Sequence, residues 1–172
     1  FSLDGKIGIF ESNSILRAVA RQDKANNLYG KNSFEASRVD SFLDSGLVFS
    51  REHQEYLFGL KDMNEALYQR MKSAYEFFLN GIEESLKCND FIGFDHLTIV
   101  DISFFCDFSQ FLREGHYADD LKNKGFNLVS ENFVSDYPKT YNHLMQLSQL
   151  DEFSSVIGTY LDWYKRKLEE SN

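Results

Sequence analysis

The chain has 172 residues, 42% of them apolar and 16% aromatic, and its 18 basic and 27 acidic side chains leave a net charge of −9. That length fits one ordinary domain, or one domain with a fragment of another, and seventeen Phe with nine Tyr are enough to fill a core, which excludes global disorder. The acidic balance argues against a nucleic-acid-binding surface and against docking on anionic lipid, both of which need a basic footprint.

At the front, GKIGIF (5–10) follows a DG turn signal and is rich in Ile and Phe, so it predicts a strand. ESNSILRAVARQ (11–22) predicts a helix directly after it. Asn32 and Ser33 offer a cap, and Val39, Phe42, Leu43 and Leu47 follow at helical spacing in a segment that runs to about Leu60. Leu67, Met71, Ala74, Tyr75, Phe78, Leu79, Ile82 and Leu86 form a second helical stripe. CNDFIGFDHL (88–97) breaks the pattern. LTIVDISFFCDFSQFL (97–112) is apolar on nearly all sides and predicts a helix in the middle of a bundle.

Residues 114–135 are mixed and polar, and predict a long connection with at most a short turn of helix. Asp136 is expected to cap a further helix that carries Pro138 in its first turn and Tyr141, Leu144, Met145 and Ser148 on its inner face. Phe153, Val156, Ile157, Tyr160, Leu161, Tyr164 and Leu168 give the last stripe, and the KRK run (165–167) suits the C-terminal end of a helix dipole. A single proline and ten glycines are too little turn punctuation for an all-β fold. The expected class is therefore all-α, a bundle of about five or six helices. A lone strand–helix unit makes no sheet, so residues 1–23 read as the tail of an α/β domain, 24–32 as a linker and 33–172 as the helical domain. The first residue is Phe rather than Met, and the chain reads as a fragment, a processed product or a trimmed sequence.

Two motifs carry a mechanism. In Thr98-Ile-Val-Asp101, the threonine hydroxyl can accept from the N–H of the third helical residue, while the aspartate reaches back to the Thr98 N–H. Such a capping box fixes where the central helix begins and is worth about 1–2 kcal/mol. In Glu11-Ser12-Asn13, a carboxylate, a hydroxyl and an amide meet at a helix N-terminus, where free N–H groups and the dipole favour an anion. Ser12 would add a donor to a bound carboxylate, and Glu11 would pair with an ammonium. A plain N-cap reads the same residues equally well.

Cys88 and Cys106 form no C-x-x-C motif, and two buried reduced thiols are expected. His53, His96, His116 and His143 show no ligand spacing, so no metal site is expected. No P-loop and no G-x-S-x-G motif occurs. Trp163 reads as a packing residue. No stretch has the length of a membrane span and no signal peptide is visible, which makes the cytoplasm the default location.

IFESNSILRAVAR (9–21) and HLTIVDISFF (96–105) together resemble the glutathione S-transferase superfamily. The first is similar to the last strand and third helix of that family's thioredoxin-like domain. The second is similar to the capped core helix of its all-helical C-terminal domain. SRVDSFLDSGLVFSREHQEYL (37–57) resembles the long first helix of that domain, in the style of bacterial and elongation-factor-gamma-like members.

The resemblance covers essentially the whole chain. It implies that Glu11 and Ser12 hold the γ-glutamyl end of glutathione, the co-substrate, whose thiolate is added to an apolar electrophile or used in a thiol-dependent reduction. It also implies an electrophile pocket, with Phe49, His53, Tyr56 and Phe108 as candidates by location, and a homodimer with the helix after Glu11 and residues 33–60 near its interface. Exposed apolar surface is expected where the first domain would pack. The family's catalytic Tyr, Ser or Cys and its cis-proline belong to a segment with no match here, so the catalytic residue stays unknown. The alternative implied by the same resemblance is a non-catalytic protein–protein interaction module, as the family's domains are in translation factors.

Overall fold

The computed structural model describes residues 1–2 and 4–170, the side chains of 156–160 and 168–170 excepted. The all-α expectation holds. Helices α1 (Ser12–Ala20), α2 (Ser33–Phe58), α3 (Glu65–Ser85), α4 (Ile99–Phe111), α5 (Ala118–Asn123), α6 (Phe133–Asp136), α7 (Pro138–Leu147) and α8 (Asp151–Glu170) follow in order, with 3₁₀ turns at Leu60–Asp62 and Leu112–Tyr117.

Local chemistry sets most of the boundaries. The Asn32 side chain accepts from the N–H groups of Phe34 and Glu35 and opens α2, while Glu35 reaches back to the Lys31 N–H at 2.7 Å. Asn64 opens α3 by accepting from the Leu67 N–H. Between α3 and α4 the chain turns at Gly93, where φ is +83° and a Cβ would stand 2.6 Å from the Phe42 ring, so only glycine fits.

The core forms where α4 meets α2, α1 and α8, and where Tyr75 and Phe78 of α3 reach its Phe108 and Phe104 rings. Phe104, Phe105, Phe108 and Phe111 of α4 are at most 1% exposed, and Phe104 and Phe108 stack at 5.4 Å. Phe49 of α2 stacks on Phe78 of α3 at 4.7 Å. Each such ring contributes roughly 1.5–3 kcal/mol by leaving water. The stripe predicted for α3 is its buried face: Met71, Ala74, Tyr75, Phe78, Leu79 and Ile82 all face the core.

Several expectations are corrected. GKIGIF is not a strand: among the described residues no strand occurs, and the segment pairs only through reciprocal backbone bonds between Phe1 and Ile9. A strand is defined by a ladder partner, and sequence composition supplies none. Residues 114–135 are more structured than a connection, because Leu121 and Phe133, both fully buried, anchor α5 and α6.

Asp136 does not cap α7. The cap comes from a different helix: Glu83 of α3 accepts from the N–H groups of Lys139 (3.1 Å) and Thr140 (2.8 Å) and from the Thr140 hydroxyl (2.7 Å). Of the expected inner face of α7, Leu144 and Ser148 are buried and Tyr141 and Met145 half-buried, and Thr140, His143 and Leu147 are buried beside them. In α8, Leu161 and Tyr164 are buried and Phe153 meets Phe105 edge-on at 4.7 Å. The side chains of Val156, Ile157, Tyr160 and Leu168 lie outside the described residues. Cys88 and Cys106 are free and exposed rather than buried.

Candidate functional site

Helix α1 packs against α4 and is tied to α2 by polar contacts. Arg17 pairs with Asp40 (2.6 Å) and Asp44 (3.0 Å), and the Tyr29 hydroxyl donates to the same Asp40 at 2.8 Å. Partial burial opposes the Arg17 charge, but the two carboxylates outweigh it and raise the guanidinium pKa. Asn13 donates to the Leu43 carbonyl at 3.0 Å, so its side chain is spent on docking and does not cap.

The start of α1 is consequently bare. Glu11 occupies the N-cap position with φ 67° and ψ 128° and makes no side-chain capping bond. A non-glycine residue held at positive φ outside a turn stores about 1–3 kcal/mol, and such residues cluster at ligand sites and switches. Glu11 and Ser12 are both exposed. The arrangement offers the N–H groups of the first turn, one hydroxyl and one carboxylate to solvent, which is the chemistry of a site for a small zwitterion.

The start of α4 is built the opposite way. Thr98 accepts from the Val100 N–H at 3.2 Å, and the capping box is complete. Asp101, fully buried, accepts from the N–H groups of Thr98 (2.8 Å) and Ile92 (3.0 Å) and lies 2.9 Å from His143 Nε2. One carboxylate thus ties together the helix start, the preceding loop and α7. The Thr98–Asp101 box is architectural, and no solvent reaches it.

Phe49, His53, Tyr56 and Phe108 are placed together, but inside the core: each is at most 1% exposed. The Phe49 ring lies 5.3 Å from His53 and 6.0 Å from Phe108. Burial lowers the His53 pKa, and its Nε2 meets Gln110 at 3.2 Å. Tyr56 donates to Glu114 at 2.7 Å. None of the four lines an open cleft. The surface groove beside them, about 340 Å³, is lined by Gln54, Leu57, Phe58, Gln110, Arg113 and Tyr117, with His116 stacked on Trp163 at 4.0 Å. Phe58 is 88% exposed there. Phe49 and Tyr56 of α2 lie on its core stripe, while Phe58, off that stripe, lines the groove.

Besides Glu83, two acids escaped the sequence reading, one buried and one half-buried. Glu114 is fully buried, and burial raises its pKa against the pull of Ser130, Tyr56 and the Val129 N–H. It pins the loop before α6 to the end of α2 through Ser130 Oγ (2.6 Å) and Ser130 N (2.7 Å). Asp107 of α4 is pushed up to about 6 by burial, with the Ser50 and Ser103 hydroxyls pulling the other way. Neither acid stands in a motif, so no local signal marked them. Among the described residues no group of three or more His, Cys, Asp or Glu could hold a metal ion. No helix among them is long and apolar enough to cross a membrane.

No family model matches the chain, and no solved structure matches it significantly. Two distant relatives do. The chain is 27% identical over 139 residues to elongation factor 1-gamma of Trypanosoma cruzi, which covers 80% of this chain and 32% of the relative. It is 24% identical over 155 residues to a probable elongation factor 1-gamma 2 of Arabidopsis thaliana, which covers 87% of this chain and 34% of the relative. The chain therefore spans about a third of the length of the curated relatives it matches, and it is an all-helical bundle with distant sequence similarity to proteins named elongation factor 1-gamma.

Proposed function

We propose that the chain is the helical half of a glutathione transferase-like protein that serves in the cytoplasm as a non-catalytic protein–protein interaction module. The observation that carries this reading is the packing of Phe49, His53, Tyr56 and Phe108: the side chains that would line an acceptor pocket are spent on the core. The relatives support it, since both are named as an elongation factor and neither as a transferase. Sedimentation velocity of the intact parent protein with purified subunits of an elongation factor 1 assembly tests it. Co-sedimentation at micromolar concentration is expected, and independent sedimentation of every component overturns the reading.

A second reading rests on the bare, strained start of α1. There the intact protein, as a homodimer, would bind glutathione. The first-turn N–H groups and Ser12 would take its carboxylate, and Glu11 its amino group. Glutathione would supply the thiol, and an apolar electrophile would meet the groove at Leu57, Phe58 and Tyr117. Calorimetry on the intact protein checks this: Ser12→Ala and Glu11→Ala should each weaken glutathione binding by about tenfold or more. Binding unchanged in both variants contradicts the assignment.

A further inference from the structure

A second groove opens on another side of the bundle, between α3 and the 127–137 segment, and shares no lining residue with the groove at Phe58. It encloses about 240 Å³ and is walled by Tyr75, Tyr137, Glu76, Glu131, Asp136 and Asn127. Tyr75 is 4% exposed and Tyr137 8% exposed, yet neither phenol makes a hydrogen bond among the described residues. The Tyr75 ring packs 5.5 Å from Phe111 and meets Tyr137 edge-on at 5.7 Å, so both rings belong to the core while their hydroxyls are left without partners at the groove. Both hydroxyls keep contact with solvent through the groove, so a ligand that pairs with them replaces water there.

The charge of the groove says what arrives. Among the described residues, Glu131 accepts only from the neutral Asn127 amide (2.9 Å), and Asp136 only from the Ser135 hydroxyl (3.3 Å). Glu76 has one cation nearby, Lys72, at 3.9 Å. Lys72 is the single basic residue of the lining, so three carboxylates face one ammonium. The negative field is felt by the phenols: burial raises the Tyr137 pKa first, and Glu76 and Asp136 raise it further. Tyr68, stacked at 4.9 Å on Phe126, adds an aromatic face to the same wall.

We propose that this groove binds the cationic head of an organic base, a guanidinium or alkylammonium group whose N–H donors satisfy the Glu131 and Asp136 carboxylates and the two idle phenol oxygens. A planar or tapered cation with a few methylenes fits the volume, and the aromatic walls favour a cation over a neutral polar group.

The test is calorimetry on the full chain at low salt with three probes: N-acetyl-arginine methylamide, spermidine and the neutral isostere N-acetyl-citrulline methylamide. Both cations should bind, and the citrulline probe should bind about tenfold more weakly or worse. The double variant Glu131→Gln/Asp136→Asn should lose roughly tenfold for both cations, and Tyr75→Phe, which keeps the packed ring, roughly threefold. Tighter binding of the arginine probe assigns the groove to a basic peptide side chain, and tighter binding of spermidine assigns it to a free polyamine. Equal binding of the citrulline probe overturns the proposal. So do cation affinities unchanged in both variants, because the cations would then be following only the net charge of −9.

Discussion

Two helix starts in this molecule are built in opposite ways. At α4, Thr98 and Asp101 satisfy the first turn from inside the core, and the same Asp101 holds Ile92 and His143. At α1, Glu11 is strained, Ser12 is exposed and Asn13 is turned away to the Leu43 carbonyl. The first arrangement is a hinge pin of the fold. The second leaves donors and charge at the surface and contributes little to stability. The motif letters look alike, a hydroxyl and an acid at the head of an apolar helix, and burial, capping bonds and backbone strain separate them.

The largest expected effect is at the closed start. Asp101→Ala leaves two N–H groups and His143 without their acceptor inside the core, and should cost about 3–5 kcal/mol by urea unfolding. A cost below about 1 kcal/mol would mean that the network is not what holds the loop and α7.

Next comes a pH effect away from both starts. The Asp107 pKa is raised to about 6 in the fold by burial, above its ordinary value of 3.8. Protonated Asp107 is the form that the fold prefers. Its contribution is therefore fully present below about pH 4 and is lost as pH rises through about 6, by up to about 3 kcal/mol. Glu114 is shifted in the same direction, so the test is a difference: Asp107→Asn should become more stable relative to the parent chain between pH 4 and pH 7. A difference that stays flat over that range contradicts the burial argument.

Thr98→Ala should cost about 1–2 kcal/mol through loss of one cap. Glu11→Gly should act with the opposite sign, stabilising by about 1 kcal/mol, since glycine accepts positive φ and the strain exceeds its added chain entropy. Ser12→Ala should fall within about 0.5 kcal/mol of the parent. If Ser12→Ala were as costly as Thr98→Ala, the contrast between the two starts would be void.

How much of this was legible follows from how local each cause is. The stripe of α3, the Asn32 cap and the Thr98–Asp101 box are contained in a few consecutive residues, and the sequence displays them. GKIGIF misled because strand composition says nothing of a partner strand. The Glu83 cap on α7 and the Glu114 staple join residues 57 and 16 positions apart, and a single sequence carries no trace of such pairings. The four candidate pocket residues lie in the core for a related reason: at helical spacing, an aromatic stripe reads as core or pocket lining alike. Glu11 and Ser12 stand out by their residue types, but the strain at Glu11, which most distinguishes that start, is a backbone property that the letters do not show.

The most direct test of the contrast is amide hydrogen exchange resolved at single residues. The amides of Ser12, Asn13 and Ser14 should exchange at close to the unprotected rate, while those of Val100 and Asp101 should exchange only through global opening. Comparable protection at the two starts would show that α1 is closed by partners of its own, and would remove the physical basis for assigning any ligand to it.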